Sequence, residues 1–192
     1  MNSAPQAPID IGVVIAGPME GVDRRAIDNV VAALESQLKE WLPAFDWRIE
    51  IARRDEWPGN RAIEPTELLL LSQGELDEQG WEVAVVITLA ELVSHYKPFC
   101  YAVIANSLDA TVVSTSRIDP RAGDPAASED FRVQQLSDRL LMLVLHALGH
   151  WCKLDHVDQS GNVMCDVQGL ADLDRANTLE PAQLEQMNSH LT

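Results

Sequence analysis

The chain has 192 residues, 46% of them hydrophobic, which is enough for a globular protein with a substantial buried core. Thirty acidic residues against fourteen basic ones give a formal net charge of −16, which repels the phosphates of nucleic acids and of anionic lipids. No apolar run reaches the roughly 18 residues of a membrane span. We therefore predict one domain over residues 1–192 that binds neither nucleic acid nor membrane.

The N-terminal residues carry no basic segment ahead of their short apolar run, so they lack the pattern of a secretory signal. Cys100, Cys152 and Cys165 form no CxxC pair, and their odd number does not suit a disulfide framework. We expect free thiols and a cytoplasmic location. Cys152 and Cys165 should be small buried hydrophobic residues.

The first half of the chain alternates strand and helix patterns. Residues 9–16 are predicted as a buried strand, and a helix with apolar positions three and four apart should run from Asp23, its N-cap, to Leu42. Residues 45–53 alternate apolar and polar side chains, as in a half-buried strand. A second helix is predicted over residues 66–79, with residue 65 or 66 at its start.

The second half of the chain adds three strand patterns and a long helix. Residues 81–92 form a continuous apolar run typical of a central strand, and residues 99–107 and 110–118 are predicted as hairpin neighbours. Ser128 can cap a helix that runs to about Cys152. The expected fold class is α/β (α+β), with about five strands.

Three histidines near the end of the long helix are spaced as metal ligands. His146 and His150 are four residues apart and share one helix face, and His156 lies six residues further on, where the chain can turn back. Three neutral imidazoles leave a zinc ion one open position, which is the catalytic rather than the structural pattern. His95 and His190 are expected to be hydrogen-bonded core residues.

At these residues the chain resembles the metzincin zinc peptidases, whose pattern is H-E-x-x-H-x-x-G-x-x-H followed by a Met-turn. Among the metzincins, the chain is most similar to the archaemetzincins. The segment ATVVSTSRID, which precedes the long helix, also resembles the archaemetzincin strand at that point. The pattern aligns with His146, Ala147, His150, Lys153, His156 and Met164. The resemblance implies a mixed, twisted sheet packed on helices, a buried active-site helix, a Met-turn and a C-terminal helix, here from Pro181. It also implies zinc on the three histidines, Met164 beneath them, and a peptide or protein substrate.

One departure from the family pattern concerns catalysis. Ala147 stands where these peptidases have glutamate, and alanine cannot take part in general acid–base catalysis. Loss of such a group costs roughly 10²–10⁴ in rate, so we expect hydrolysis to be weak or absent. Asp155, Asp166 and Glu91 are the carboxylates considered as substitutes. The intact ligands around Ala147 favour an introduced or recent replacement of glutamate over an old natural loss.

Two further departures concern the metal sites. Lys153 stands at the family's glycine, where the chain leaves the helix and glycine adopts a left-handed conformation cheaply, which puts the placement of His156 in question. Val157 replaces the cysteine of the family's second zinc site, and no CxxC follows, so we predict one zinc ion. Gly161 and Asn162 supply the turn before the methionine.

The sequence leaves three functions open. The first is a zinc metallopeptidase that lacks its general base, the second is a non-catalytic zinc-binding protein whose cleft binds a peptide or protein, and the third is a metal-free interaction domain. An extended peptide would add as a strand beside residues 99–107. Tyr96, Lys97 and Tyr101 are the candidate contacts there.

Overall fold

The computed structural model describes residues 8–19, 21–59, 61–93, 99–120 and 126–192. Its strands are β1 (Pro8–Ala16), β2 (Asp46–Arg54), β3 (Val83–Thr88), β4 (Ala102–Ala105) and β5 (Ala110–Ser114). Its helices are α1 (Gly21–Trp41), α2 (Pro65–Gln79), α3 (Glu129–Trp151), α4 (Leu170–Leu173) and α5 (Pro181–Leu191). None of the helices in these ranges is both long enough and apolar enough to cross a membrane.

The five strands form one sheet in the order β2–β1–β3–β5–β4. Strands β1, β2, β3 and β5 are parallel, and β4 pairs with β5 in the antiparallel direction. Strand β3 lies at the centre, and all of its residues are buried, because helices cover both faces of the sheet. This confirms the predicted mixed sheet of five strands, its central apolar strand and the hairpin of β4 and β5.

The alternation of side chains along β1 separates two apolar cores. Ile11, Val13 and Ile15 belong to the larger core, which lies between the sheet and helices α1 and α3. Val14 and Ala16 point the other way, into the smaller core beneath α2. Full burial of a side chain such as Ile11 stabilises the fold by roughly 1.5–3 kcal/mol relative to its exposure. Helix α3 is therefore fixed against one face of the sheet.

Helix α3 begins and ends where the sequence predicts. The Oγ of Ser128 accepts a hydrogen bond from the Phe131 N–H at 3.3 Å, which satisfies one of the free donors of the first turn. Towards the other end, residues 143–149 are all buried. The helix ends at Trp151 and is capped by Cys152. Residues 143–149 of α3 therefore carry their side chains into the interior of the protein.

The predicted N-cap role of Asp23 is wrong. Helix α1 begins at Gly21, so Asp23 lies within its first turn. The Asp23 carboxylate instead accepts a hydrogen bond from Thr115 Oγ1 at 3.0 Å. Burial raises the pKa of Asp23, although the Thr115 hydroxyl opposes the shift. A contact with a residue so distant in sequence leaves no local pattern from which to predict it.

The two hairpin strands are shorter than predicted. Residues 106–109 form the turn between β4 and β5, with Asp109 in the left-handed region at φ 45°. Strand β5 ends at Ser114, whose hydroxyl donates to the Ala90 carbonyl at 2.6 Å. Helix α4 was not predicted, because four residues are too few to show a periodicity.

Gly12 of β1 lies directly against the indole of Trp81. A Cβ at residue 12 would lie 1.8 Å from Trp81 Cε3, so Gly12→Ala must displace an indole whose Nε1 donates to Glu50 Oε2 at 3.1 Å. We expect the free energy of unfolding, measured in urea, to fall by about 1–3 kcal/mol. Gly74→Ala in α2 is the control, because nothing lies near that position. It should stabilise the protein by about 0.5–1 kcal/mol. Equal stability of Gly12→Ala and the parent would contradict this packing.

Candidate metal centre

The end of α3 brings the first two histidines together. His146 and His150 lie one turn apart on the same face, and their Nε2 atoms are 3.1 Å apart. His156 joins them from the chain after the helix, with its Nε2 2.9 Å from that of His150 and 3.2 Å from that of His146. Among the described residues, no other group of three or more His, Cys, Asp or Glu side chains converges in this way.

Lys153 makes the turn between α3 and His156. Its φ of 64° is left-handed, a conformation that costs a residue other than glycine roughly 1–2 kcal/mol. The next residue, Leu154, is buried, and its N–H donates to the Gly149 carbonyl at 2.9 Å, as is usual where a helix ends. The lysine therefore adopts the conformation expected of the glycine, and His156 reaches the other two histidines.

Two backbone carbonyls fix where the protons of the helical histidines lie. His146 Nδ1 is 2.7 Å from Val163 O, and His150 Nδ1 is 2.9 Å from Leu154 O. A carbonyl oxygen can only accept a hydrogen bond, so each Nδ1 carries the proton and each Nε2 keeps a free lone pair. These lone pairs face each other, and they repel unless a cation lies between them.

Burial keeps the helical histidines neutral. The pKa of His146 is lowered to about 4, chiefly by burial, although the hydrogen bond to Val163 opposes the shift. Burial also lowers the pKa of His150, and the neighbouring His156 adds to that effect. Neutral imidazole is the form that binds metal, so at neutral pH neither helical ring has to lose a proton first.

The donor set suits zinc. Nitrogens held about 2.0–2.1 Å from a tetrahedral zinc ion lie roughly 3.3 Å from one another. The three Nε2 separations, from 2.9 to 3.2 Å, are close to that value. Imidazole is a ligand that zinc accepts readily, whereas Mg²⁺ and Ca²⁺ select oxygen. Three protein ligands also leave a fourth position open.

Other potential ligands lie apart from this cluster. Cys152 and Cys165 are free and buried, and burial raises the pKa of Cys152 to about 12 and that of Cys165 above its usual range. Since a thiol binds metal as thiolate, both act as small hydrophobic residues, as predicted. The expectation of a core position for His190 is wrong, because this residue is exposed on α5 with its ring edge-on to Trp151.

Met164 is fully buried against the end of α3. A Cβ at Gly149 would lie 2.3 Å from Met164 Sδ, so only glycine at that position leaves room for the methionine. The Met164 carbonyl accepts from the Val157 N–H at 3.0 Å, and Gly161 in the preceding turn has φ 93°. The turn predicted before Met164 is therefore present, and the backbone at Met164 pairs with that of Val157, the residue after His156.

Ala147 lies on α3 between the two helical histidines, but it does not line the space in front of them. It is buried beside a small gap lined by Ile104, Asn106 and Trp151, among others. None of these side chains is an acid or a base at neutral pH. The position that aligns with the general base of the metzincin pattern therefore holds no group that can exchange a proton with water or a substrate.

A cleft of about 390 Å³ opens over the three histidines. Strand β4 lies at the edge of the sheet and contributes Ala102 and Ile104 to the cleft, and α3 contributes Leu143. The other lining residues are Phe99, Cys100, Tyr101, Asp166, Val167 and Gln168. The lining is mostly apolar, and Asp166 is the one carboxylate among the described residues that form it.

Of the three carboxylates considered as substitute bases, the structure brings only Asp166 to the cleft. The Oδ2 of Asp166 accepts a hydrogen bond from Gln168 Nε2. Glu91 is paired with Arg117 instead. Asp155 does not line the cleft, although its negative charge partly opposes the lowering of the pKa of His150.

The predicted peptide contacts are only partly within the described residues. Tyr101 lines the cleft, and its ring packs edge-on against Phe99 with the centroids 5.6 Å apart. Tyr96 and Lys97 lie outside the described residues, as does His95. The sequence therefore identified one aromatic residue of the cleft wall, Tyr101, and missed its partner.

Sequence reasoning also missed a buried pair of amide side chains. Asn162 was predicted only as a turn residue, yet its Oδ1 accepts from the Met164 N–H and its Nδ2 donates to Gln183 Oε1, both at 2.8 Å. Both amides are at least nine-tenths buried. A Gly-Asn turn and a glutamine on a short amphipathic helix carry no signal that they meet.

No family model matches the chain, and no curated protein matches it by sequence. Solved structures do resemble it. A zinc-dependent peptidase from Methanocorpusculum labreanum has a TM-score of 0.67 at 18% identity, over 93% of this chain and 100% of that one. Archaemetzincin from Methanopyrus kandleri has a TM-score of 0.67 at 18% identity, over 96% of each chain.

Archaemetzincin from Archaeoglobus fulgidus, in a complex with malonate, has a TM-score of 0.63 at 14% identity, over 93% of this chain and 99% of that one. The three likenesses extend over nearly all of both chains, and at such low identities they establish the fold. The chain therefore has the fold of the archaemetzincin-like zinc-dependent peptidases.

Proposed function

We propose that this chain is a zinc-dependent metallopeptidase in which Ala147 leaves peptide-bond hydrolysis absent or strongly impaired. The observation that carries the proposal is the convergence of three Nε2 atoms, two of them with lone pairs fixed by backbone carbonyls, at the floor of a cleft. The fold supports it. A zinc ion held there supplies Lewis-acid activation of water and of a peptide carbonyl.

In this proposal, three histidines bind the metal and two backbone carbonyls orient the histidine rings. His146, His150 and His156 would be the ligands of one zinc ion, because no second group of ligands converges among the described residues. The Val163 and Leu154 carbonyls orient the two helical rings and raise the basicity of their Nε2 atoms.

Met164 would act as an apolar base of the site. Its sulfur fills the space against Gly149, one residue before the second ligand. Packing of this kind restricts the rotamers of neighbouring side chains, so it holds the rings in place without binding the metal.

The cleft fits an extended peptide or protein segment as the substrate. Strand β4 is at the edge of the sheet, and among the described strands none pairs with its outer side, which favours pairing with an added strand there. Phe99 and Tyr101 offer aromatic surface to the side chains of such a segment.

A second candidate function is a non-catalytic zinc-binding protein that holds a peptide or protein partner in the same cleft. The observation that favours it is the surroundings of Ala147, which is buried against Ile104 and Trp151 in a small gap without acidic side chains. A site of this kind keeps the metal and the cleft but needs no proton acceptor.

Zinc binding is the first property to measure. The purified protein should carry one zinc ion per chain after dialysis against trace zinc, and His150→Ala should carry almost none by metal analysis. Zinc at 100 times its dissociation constant should raise the free energy of unfolding by about 2.7 kcal/mol. His190→Ala is the matched control, because His190 lies on α5 outside the cluster. A folded parent protein that takes up no zinc would contradict the proposal.

Ala147→Glu tests the missing general base. It should raise kcat/KM on a mixed peptide library, followed by mass spectrometry, by roughly 10²–10⁴. A glutamate side chain is long enough to extend from the gap at residue 147 past Ile104, which lines both the gap and the cleft, and to bring a carboxylate to the histidines. Ala147→Gln has the same size but no ionisable group, so it should stay inactive. A zinc-loaded Ala147→Glu protein that binds peptides without cleaving them would favour the non-catalytic function.

Gly149→Ala tests the role of Met164. The added methyl group must displace Met164 Sδ, so the dissociation constant for zinc, measured by competition with a chelator, should rise by about tenfold or more. Gly74→Ala introduces the same change in a helix remote from the site, and its zinc affinity should equal that of the parent. Parental affinity in Gly149→Ala would show that Met164 does not support the ligands.

A further inference from the structure

Helix α5 contacts both of the segments that orient the helical histidines. We propose that its two glutamines, Gln183 and Gln186, are positioning residues for the metal ligands. The proposal rests on the zinc binding proposed above. The glutamines are three residues apart and therefore lie on one face of α5. Gln183 accepts a hydrogen bond from the segment before Met164, and Gln186 donates one to the turn at Lys153.

Gln183 acts through Asn162. Gln183 Oε1 accepts from Asn162 Nδ2 at 2.8 Å, and Asn162 Oδ1 accepts from the Met164 N–H at 2.8 Å. Between these two residues lies Val163, whose carbonyl accepts from His146 Nδ1. The Met164 N–H and the Val163 carbonyl belong to the same peptide unit, so the pair of amides holds the unit that orients the first ligand.

Backbone donors at both ends fix which way these amides point. The Glu180 N–H also donates to Gln183 Oε1, at 2.8 Å, and the Met164 N–H donates to Asn162 Oδ1. Since an N–H can only donate, Gln183 acts as an acceptor and Asn162 as a bridge. Removal of the Gln183 oxygen would leave the buried Asn162 amide without its partner, which is costly enough to make the segment rearrange.

Gln186 acts on the second ligand. Its Nε2 donates to the Lys153 carbonyl at 2.7 Å. That carbonyl belongs to the left-handed residue of the turn, and the next carbonyl, of Leu154, accepts from His150 Nδ1. Because Gln186 is exposed, its hydrogen bond competes with water, and its effect should be smaller than that of Gln183.

Apart from the hydrogen bond from the Glu180 N–H to Gln183 Oε1 at its start, helix α5 is held in place by apolar contacts. Met187 is 2% exposed and belongs to the larger core, and Leu184 packs against that core. Changes at Gln183 or Gln186 can therefore loosen the ligands while the helix stays docked. This separation makes it possible to distinguish positioning of the metal site from general stability.

The experiment measures the zinc dissociation constant and, in parallel, the melting temperature of the metal-free protein. Gln183→Leu removes the acceptor and should raise the dissociation constant by about 10–100-fold. Gln183→Glu keeps an acceptor oxygen facing two N–H donors, so most of the affinity should be retained. At residue 186 the same substitution has the opposite effect, because Gln186→Glu removes the donor to the Lys153 carbonyl and should weaken zinc binding. Gln186→Lys keeps a donor, so its zinc affinity should stay near that of the parent.

Glu185→Gln is the matched control, because Glu185 is exposed on α5 between the two glutamines, and its zinc affinity should equal that of the parent. Variants that melt earlier without metal but bind zinc as the parent does would overturn the positioning role. So would a Gln183→Glu protein that binds zinc as weakly as Gln183→Leu. A parent protein without zinc would instead refute the proposed metal site itself.

Discussion

Two hydrogen bonds to backbone carbonyls determine the chemistry of the histidine cluster. Because Val163 O and Leu154 O can only accept, the protons of His146 and His150 lie on Nδ1 and their Nε2 lone pairs point at each other. Burial removes the alternative of protonating the first ring. Two neighbouring segments supply the carbonyls that this arrangement needs. The turn at Lys153 supplies the Leu154 carbonyl, and the chain before Met164 supplies the Val163 carbonyl.

The order of strands and helices, the long buried helix with its cap and the convergence of the three histidines could be predicted from the sequence, because each depends on local periodicity or spacing. The role of Asp23 could not, because it depends on Thr115, and neither could the short extent of β4. At Lys153 the sequence indicated a difficulty that the fold overcomes with hydrogen bonds from neighbouring segments.

Ala147 lines a different space from the three histidines, so in the function we propose metal binding is separate from general acid–base catalysis. The three histidines, the carbonyls that accept hydrogen bonds from two of them, and the cleft are all present. Their arrangement depends on the packing of α3 against the sheet. In the function we propose, the missing group is a single side chain, and Ala147 occupies its position as a buried residue of α3. Under that proposal, metal affinity and proton transfer would be lost or regained independently.

The bridge from Asn162 to Gln183 is made of two neutral amides. Neither side chain gains or loses a proton in the physiological range, and neither contains a thiol that could be oxidised. The link between the C-terminal helix and the methionine turn therefore stays closed when acidity or redox conditions change. Environmental sensitivity of the site would have to arise at other groups, such as the imidazoles or the thiol of Cys100 in the cleft wall.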